Sequence, residues 1–249
     1  MRRYGLIGYP LGHSFSKDYF TARFRRYNTD AVYNNFPLEN IDQLPGLISK
    51  YPDLCGLNIT IPHKQSVFAY LDRADSLAEK AGAVNVISIA RSERGLSLEG
   101  YNTDIDGFLH SLSLLGDIYH YKALVLGTGG ASAAVTTALE IKGIEYLTVS
   151  RSVNKADLTY NDLDKYIIGE YKLIINTTPL GMYPEIKTAP GIPYKILDSD
   201  SVLLDLVYNP EKTMFMQLGE ERGCTVMNGI EMLYAQAEAA WEIWDNKQC

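Results

Sequence analysis

The chain has 249 residues, of which 46% are hydrophobic and 21% charged, a composition typical of a globular protein with one large or two modest domains. Its net charge of −7 argues against a polyanion such as nucleic acid as a partner. No apolar run approaches the ~20 residues that span a bilayer, and no signal-peptide core follows the first residues, so we expect a cytoplasmic protein without a membrane partner.

The three cysteines, Cys55, Cys224 and Cys249, are far apart and odd in number. This usage predicts reduced thiols rather than a disulfide framework. No Cys/His spacing suits zinc, so we expect no metal site.

The first hundred residues read as alternating strands and helices. A helix is expected after Ser16, whose side chain is predicted to cap it, and Phe20, Phe24 and Tyr27 share one face of that helix. The predicted elements are, in order, strand 4–8, helix 16–27, strand 30–36, helix 41–51, strand 55–61, strand 82–89 and a closing segment 98–104.

Residues 58–64 end one of these strands in an unusual way. Ile59 and Ile61 alternate with polar residues, which predicts a strand with one apolar face. Pro62 has no backbone N–H and ends the pairing, so His63 and Lys64 follow at the carboxyl edge of the sheet, where ligands bind in open α/β folds. Because a lone lysine after a strand is as a rule only a solvated charge, its role depends on its partners.

The second half begins with a helix at 106–115 and a strand at 121–126, whose continuous apolar run is typical of a buried parallel strand. A glycine-rich turn from Gly127 to Ser132, a helix to about Lys142 and a strand at 145–150 follow. This order is the context that dinucleotide binding requires, since glycines let a pyrophosphate approach free N–H groups at a helix N-terminus. The remaining elements are predicted as strands 158–160, 172–176, 202–205 and 225–227 and helices 162–168 and 229–244.

The end of strand 145–150 indicates which nucleotide is bound. An NAD site usually has Asp or Glu there to accept from the ribose 2′-OH, whereas Glu145 begins the strand. Ser150, Arg151 and Ser152 end it instead, and Lys155 lies just beyond. Two cations and two hydroxyls suit a 2′-phosphate, so NADP is favoured over NAD. The alternative is a solvated basic turn.

A carboxylate partner for Lys64 is available in the polar segment 100–104. Asp104 is expected near the same sheet edge, so the two side chains can meet across a crevice. Reduction of a ketone by a nicotinamide needs one proton at the carbonyl oxygen, which a poised lysine can donate. His63 is the competing acid, and spacing alone does not exclude it.

Six motifs then occur in order along the chain and resemble those of shikimate dehydrogenase. They are Gly12-His13-Ser14-Phe15-Ser16, the stretch 58–64, Ala81-Gly82-Ala83-Val84-Asn85, Asn102-Thr103-Asp104, the glycine turn with Asn176-Thr177-Thr178-Pro179-Leu180-Gly181-Met182, and Asn228-Gly229-Ile230-Glu231-Met232-Leu233. This family of NADP-dependent oxidoreductases interconverts 3-dehydroshikimate and shikimate in the pathway to chorismate and the aromatic amino acids.

The resemblance implies an α/β fold with two domains. Residues 1–104, joined by a C-terminal helix at about 230–249, would form an α/β substrate-binding and catalytic domain. Residues 105–229 would form a Rossmann-type NADP-binding domain, with the active site in the crevice between the two. The implied partner is a small molecule, shikimate or 3-dehydroshikimate, and the protein would be a monomer or a homodimer.

The resemblance also implies a role for each matching residue. Asn58 would support its loop, and His63 stands where an aromatic residue is common, which favours a packing role. The implied catalytic pair is Lys64 and Asp104. The implied substrate-binding residues are Ser14, Ser16, Thr60, Asn85, Tyr208 and Gln236. The implied cofactor-binding residues are Gly127, Gly129, Gly130, Ala131, Ser150, Arg151, Ser152, Lys155, Thr177, Met182 and Gly229.

Two departures from the family pattern concern the cofactor. Ser150 replaces the usual Asn, and the segment 155–172 is shorter than expected, which puts the adenine wall in doubt. The alternatives are a dehydrogenase that also accepts quinate or uses NAD, and a non-catalytic sensor on the same fold. A folate-interconverting methylene dehydrogenase also uses a lysine, but the Ser14 and Ser16 loop better suits a small ring with a carboxylate.

Overall fold

A computed structural model describes residues 1–12, 14–93, 95–118 and 120–247. His13 of the first motif and Cys249 lie outside the described residues. The chain divides into two compact units, one formed by Met1–Thr103 with Ala237–Cys249 and the other by Asp104–Gln236. The substrate and cofactor roles expected for these parts of the chain stay predictions.

The first unit is built on a six-stranded sheet with the order β2-β1-β3-β5-β6-β4. Its elements are β1 (Arg2–Gly8), α1 (Phe15–Arg26), β2 (Ala31–Pro37), α2 (Leu44–Lys50), β3 (Leu54–Ile59), β4 (Arg73–Ala74), α3 (Ser76–Ala81), β5 (Val86–Ser92) and β6 (Gly95–Tyr101). β1 pairs in parallel with β2 and β3, whereas β5 is antiparallel to both β3 and β6. The expected simple alternation of strands and helices was therefore wrong after β3, because β5 and β6 form a hairpin.

The second unit contains a six-stranded sheet with the order β12-β11-β10-β7-β8-β9, and all its pairs are parallel. The elements from residue 103 onward are α4 (Thr103–Leu114), β7 (Ala123–Leu126), α5 (Gly130–Lys142), β8 (Tyr146–Ser150), β9 (Leu158–Thr159), α6 (Lys165–Glu170), β10 (Leu173–Asn176), β11 (Val202–Asp205), α7 (Met214–Glu220), β12 (Thr225–Met227) and α8 (Ile230–Asn246). The fold is thus α/β with a Rossmann-type second sheet, as predicted, and α7 is an addition to the predicted elements.

The central strands of the second sheet are buried on both faces. Every residue of β7 and β10 is fully buried, which explains why these strands read as continuous apolar runs. Their register pairs Leu126 with Asn176, and Asn176 in turn with Asp205. The last residues of three neighbouring strands therefore lie in one row at the carboxyl edge.

The core of the first unit includes the end of the chain. Trp244 of α8 is 2% exposed, and its indole Nε1 donates to the Ile87 carbonyl at 3.0 Å. A Cβ at Gly56 would lie 2.3 Å from that Nε1, so only glycine admits the ring. Tyr4 stacks on Trp244 with ring centroids 4.8 Å apart. The C-terminal helix is therefore part of this core.

Three local features bear on the sequence predictions. Ser14, with extended backbone, is the N-cap of α1, and its Oγ accepts from the Lys17 N–H at 3.3 Å, so the prediction that Ser16 is the cap was wrong.

Cys55 is disulfide-bonded, which contradicts the expected reduced thiol there, whereas Cys224 is free and buried. Within the described ranges, no helix has the length and apolarity needed to cross a membrane.

Candidate active site

The loop that carries Lys64 is fixed to its neighbours by backbone hydrogen bonds. β3 ends at Ile59, and the Thr60 N–H donates to the Ile7 carbonyl at 2.9 Å. The Lys64 carbonyl accepts from the Val84 N–H at 2.7 Å. Lys64 is therefore held beside the segment that carries Asn85, at the carboxyl ends of β1 and β3.

Asn85 is buried and its amide has one defined orientation. Its Oδ1 accepts from the Thr103 N–H at 2.7 Å, and because an N–H only donates, the amide oxygen must face Thr103. The Asn85 N–H donates to the Tyr101 carbonyl at 3.0 Å. Asp104, which is 7% exposed, follows Thr103 directly in the chain. Asn85 thus lies between the segment of Lys64 and the segment of Asp104.

Ser16 lies close to a buried tyrosine, Tyr33, that the sequence did not indicate. Ser16 is in the first turn of α1. Burial raises the pKa of Tyr33 well above its ordinary value, and Ser16 lies close enough to lower it in part. The Tyr33 hydroxyl donates to Asn58 Oδ1 at 2.6 Å. Asn58 is therefore held from β2, in keeping with a supporting role.

His63 is 3% exposed, and its Nε2 donates to the Leu38 carbonyl at 2.6 Å. A ring nitrogen with a backbone partner in a buried position suits packing better than proton transfer. The geometry therefore favours Lys64 over His63 as the acid.

The glycine turn of the second unit lies against the end of β10. Gly127 has φ +119°, and a Cβ there would lie 2.5 Å from Thr177 Oγ1. That hydroxyl donates to the Leu126 carbonyl at 2.8 Å, while the Ser132 hydroxyl donates to the Gly127 carbonyl at 2.8 Å. Position 127 therefore admits only glycine, and Thr177 forms one wall of the turn.

The start of α5 fits a pyrophosphate. Gly129 is the N-cap, and a Cβ there would have no atom within 4 Å, so the approach to the helix is open. The N–H groups of the first turn, which include Gly130 and Ala131, have no intrahelical partners. Such a terminus attracts an anion through its N–H groups and its dipole.

The end of β8 forms a compact serine turn. The Ser150 hydroxyl accepts from the Ser152 N–H at 3.0 Å and donates to the Ser152 carbonyl at 2.7 Å. Ser150 is buried, whereas Arg151, Ser152 and Lys155 are exposed. Ser150 therefore shapes the turn, and the exposed cations and the Ser152 hydroxyl are the groups available to a phosphate.

The short segment after β8 is held by carboxylates rather than by a long helix. Asp157 Oδ2 accepts from the Thr148 N–H at 2.8 Å, and Asp164 Oδ1 caps α6 through the Tyr166 N–H at 2.9 Å. β9 and α6 cover 158–159 and 165–170, against the predicted 158–160 and 162–168. α6, the helix between β9 and β10, is therefore six residues long.

Four further predicted site residues belong to the loops and to α8. Met182 is 44% exposed, and Tyr208 is half-buried with a pKa that burial raises. A Cβ at Gly229 would lie 2.2 Å from the Leu206 carbonyl oxygen, so close packing requires glycine there. The Gln236 Nε2 donates to the Leu233 carbonyl at 2.9 Å, which orients its amide along α8.

Asp205, at the end of β11, is a candidate that the sequence analysis missed. It is fully buried and accepts from Asn176 Nδ2 at 2.9 Å, the Val207 N–H at 3.0 Å and Thr213 Oγ1 at 2.6 Å. Burial raises the pKa of its carboxyl to about 6, against the lowering effect of these three donors. Its position at a strand end was the available signal.

No metal-binding group stands out in the part of the chain that is described. Three or more His, Cys, Asp or Glu side chains are nowhere grouped there in a way that could hold an ion.

Comparisons with known proteins point to one family. A family model for the shikimate dehydrogenase substrate binding domain matches residues 6–87. The shikimate dehydrogenase (NADP(+)) of Methanococcus aeolicus is 35% identical over 257 residues, covering 96% of this chain and 90% of that relative. The enzyme of the same name from Clostridium beijerinckii is 39% identical over 263 residues, covering 100% and 93%. The crystal structure of shikimate 5-dehydrogenase from Thermus thermophilus in complex with NADP(H) and shikimate has a TM-score of 0.87 at 28% identity, covering 99% of this chain and 94% of that one.

Proposed function

The chain belongs to the shikimate dehydrogenase family, and we propose that Lys64 and Asp104 are its catalytic pair. The protein is an NADP-dependent oxidoreductase of the shikimate pathway, which interconverts 3-dehydroshikimate and shikimate. The observation that carries the assignment of the pair is the position of Asn85. The N–H of the preceding residue, Val84, donates to the Lys64 carbonyl. The Asn85 side chain accepts from the N–H of Thr103, which directly precedes Asp104.

The proton required by the ketone oxygen comes from Lys64. An ammonium group donates while hydride reaches the carbon and is regenerated from solvent after product release. The buried Asp104 carboxylate is proposed to orient the lysine toward the ketone oxygen. In the oxidative direction the same lysine, neutral, accepts the proton of the ring hydroxyl.

The substrate carboxylate binds at the start of α1. Ser14 and Ser16 present hydroxyl groups at a helix N-terminus, where N–H groups and the helix dipole favour an anion. Thr60, which follows β3, and Asn85, which precedes β5, bind ring hydroxyls. Tyr208 and Gln236 are the further substrate contacts that we propose from the second unit.

The residues of the second unit fit NADP. Gly127, Gly129, Gly130 and Ala131 leave room for the pyrophosphate at the start of α5, as the clearance at Gly129 indicates. When bound, the cofactor supplies the hydride. Thr177, Met182 and Gly229 are assigned to the nicotinamide side. The 2′-phosphate is assigned to the exposed end of β8, with Ser150 holding the turn that presents Arg151, Ser152 and Lys155.

We also propose that the protein acts in the cytoplasm as a monomer or a homodimer and has no nucleic-acid partner. The net charge of −7 supports the last point, because it disfavours contact with a polyanion. Light scattering after size exclusion measures the oligomeric state directly.

The test of the function is a four-way assay that follows reduced nicotinamide by absorbance. Shikimate or quinate is supplied with NADP or NAD. We expect the highest kcat/KM with shikimate and NADP. Equal use of quinate or of NAD would indicate the broader dehydrogenase, and no turnover with any pair, together with retained ligand binding, would indicate a sensor.

A further inference from the structure

Two loops of the second unit carry proposed site residues, one with residues assigned to the nicotinamide and one with a residue assigned to the substrate. The first loop, residues 177–182, follows β10 and contains Thr177 and Met182. The second loop, residues 206–213, follows β11 and contains Tyr208. Both begin at the carboxyl edge of the parallel sheet, where Asn176 and Asp205 are paired in register.

Asn176 organises the first loop. Its Oδ1 accepts from the Thr178 N–H at 3.0 Å and from the Thr178 hydroxyl at 2.6 Å. Its Nδ2 donates to the Leu180 carbonyl at 3.3 Å and to Asp205 Oδ1 at 2.9 Å. The N–H of Thr178 permits only one orientation of this amide. The first loop is therefore fixed to the side chain of Asn176, and that side chain is fixed to Asp205.

Asp205 organises the second loop at both of its ends. Oδ1 also accepts from the Val207 N–H at 3.0 Å, and Oδ2 accepts from Thr213 Oγ1 at 2.6 Å. Thr213 caps α7 through the Met216 N–H at 3.3 Å. Asn176, Asp205 and Thr213 are each fully buried. One carboxylate therefore holds the start of both loops and the end of the second.

We propose that Asp205 is a positioning residue. It holds the Thr177–Met182 loop in the arrangement that binds the nicotinamide half of the cofactor, and it fixes the Tyr208 loop, which is assigned to the substrate, to the same carboxylate. This inference rests on the proposed function. It adds a role for a buried carboxylate that touches neither substrate nor cofactor and acts through Asn176 and Thr213.

The two oxygens of Asp205 have different tasks, which suggests a conservative variant. In Asp205→Asn, Oδ1 still accepts from Asn176 and Val207, while the new NH₂ donates to Thr213 Oγ1, since a hydroxyl can reverse its role. In Asp205→Ala, three buried donors lose their acceptor, and buried polar groups without partners are costly. Among the described titratable groups, Tyr194 interacts with the carboxyl: burial raises the pKa of that phenol, and the charge of Asp205 raises it further. No charged neighbour contributes to the pKa shift of Asp205 itself.

The experiment compares two ligands that share one end. NADPH occupies both halves of the cofactor site, whereas adenosine 2′,5′-bisphosphate reaches only the half at the end of β8. We expect Asp205→Ala to raise the Kd of NADPH about tenfold and to change the Kd of the bisphosphate less than twofold. Asp205→Asn should restore NADPH binding to within about threefold of the unmodified protein.

Asp198→Ala is the matched control. Asp198 is also a carboxylate of this unit that accepts hydrogen bonds, from Lys172 and Ser201, but it precedes β11, whereas Asp205 is the last residue of that strand. It should change neither constant. If Asp205→Ala does not fold, Thr213→Val removes one of the three donors and should raise the Kd of NADPH about threefold without affecting the bisphosphate.

The outcomes separate the two levels of the proposal. Unmodified protein that fails to bind NADPH would refute the proposed function. If the unmodified protein binds NADPH, an unchanged NADPH affinity in Asp205→Ala would show that the inference about Asp205 is wrong. If Asp205→Ala does not fold, an unchanged NADPH affinity in Thr213→Val would show the same. A parallel loss of both ligands in the folded variant would show a general structural role and would also overturn it.

Discussion

Gly127→Ala is expected to weaken both the fold and the cofactor site. An L-residue at φ +119° costs about 1–2 kcal/mol relative to glycine. The new Cβ would lie 2.5 Å from Thr177 Oγ1, so that oxygen must move by about 1 Å to reach ordinary contact. The shift breaks its 2.8 Å hydrogen bond to the Leu126 carbonyl, worth about 1 kcal/mol.

The total destabilisation should therefore be about 2–3 kcal/mol, measured by urea unfolding. The same shift moves Thr177 and the turn that leads into α5. If about half of this free energy is lost from NADPH binding, the Kd rises about tenfold, because each factor of ten in Kd corresponds to about 1.4 kcal/mol. Fluorescence titration of reduced nicotinamide measures this Kd.

Gly143→Ala is the control at the other end of the same helix. Gly143 has φ +68°, and a Cβ there would meet no atom within 4 Å. It should cost about 1 kcal/mol through backbone strain alone and leave the Kd of NADPH unchanged. Equal NADPH affinity in the two variants would refute the reasoning about Thr177.

Three further predictions concern the chemistry, the phosphate site and the buried carboxylate. Lys64→Ala should retain NADPH binding while turnover falls at least ~100-fold; near-normal turnover would exclude Lys64 as the acid. Arg151→Ala should raise the KM for NADP about tenfold or more and leave the KM for NAD unchanged, and a parallel change in both would contradict a 2′-phosphate contact. Because burial raises the pKa of Asp205 to about 6 from 3.8, the folded state keeps a proton that the unfolded state releases between these values. Stability relative to Asp205→Asn should then fall by about 3 kcal/mol as pH rises from about 3 to about 7, and parallel urea-unfolding curves for the two proteins would refute it.

The parts of the fold that the sequence predicted best are those determined by local pattern. β7, the turn at Gly127 and α5 follow from a buried apolar run, glycines and helical periodicity, all within roughly 20 neighbouring residues. The direction of β5 was missed because its antiparallel pairing with β3 joins residues distant in sequence, such as Gly56 and Ser88, which alternation of side chains does not encode.

The sequence predicts the candidate site residues, but it did not indicate the contacts that support them. Ser14 and Ser16 are both good capping residues, so composition could not show which adopts the extended backbone of a cap. Asp205 and Tyr33 owe their roles to burial by other elements, and a single Asp or Tyr in a strand has many ordinary explanations. Cys55 illustrates the same limit, because its bonding state depends on three-dimensional proximity.

The contribution of α8 to the first core has a consequence for the order of folding during synthesis. Trp244 fills the space that Gly56 leaves and donates a hydrogen bond to the Ile87 carbonyl, so the sheet that is made first lacks this central side chain until α8 has been translated. The 104–236 unit is continuous in the chain and can form earlier. A chain truncated before α8 would expose the aromatic cluster around Tyr4 and Phe20, a target for chaperones and proteases. The first unit, which carries Lys64, can therefore be completed only after α8 has been made.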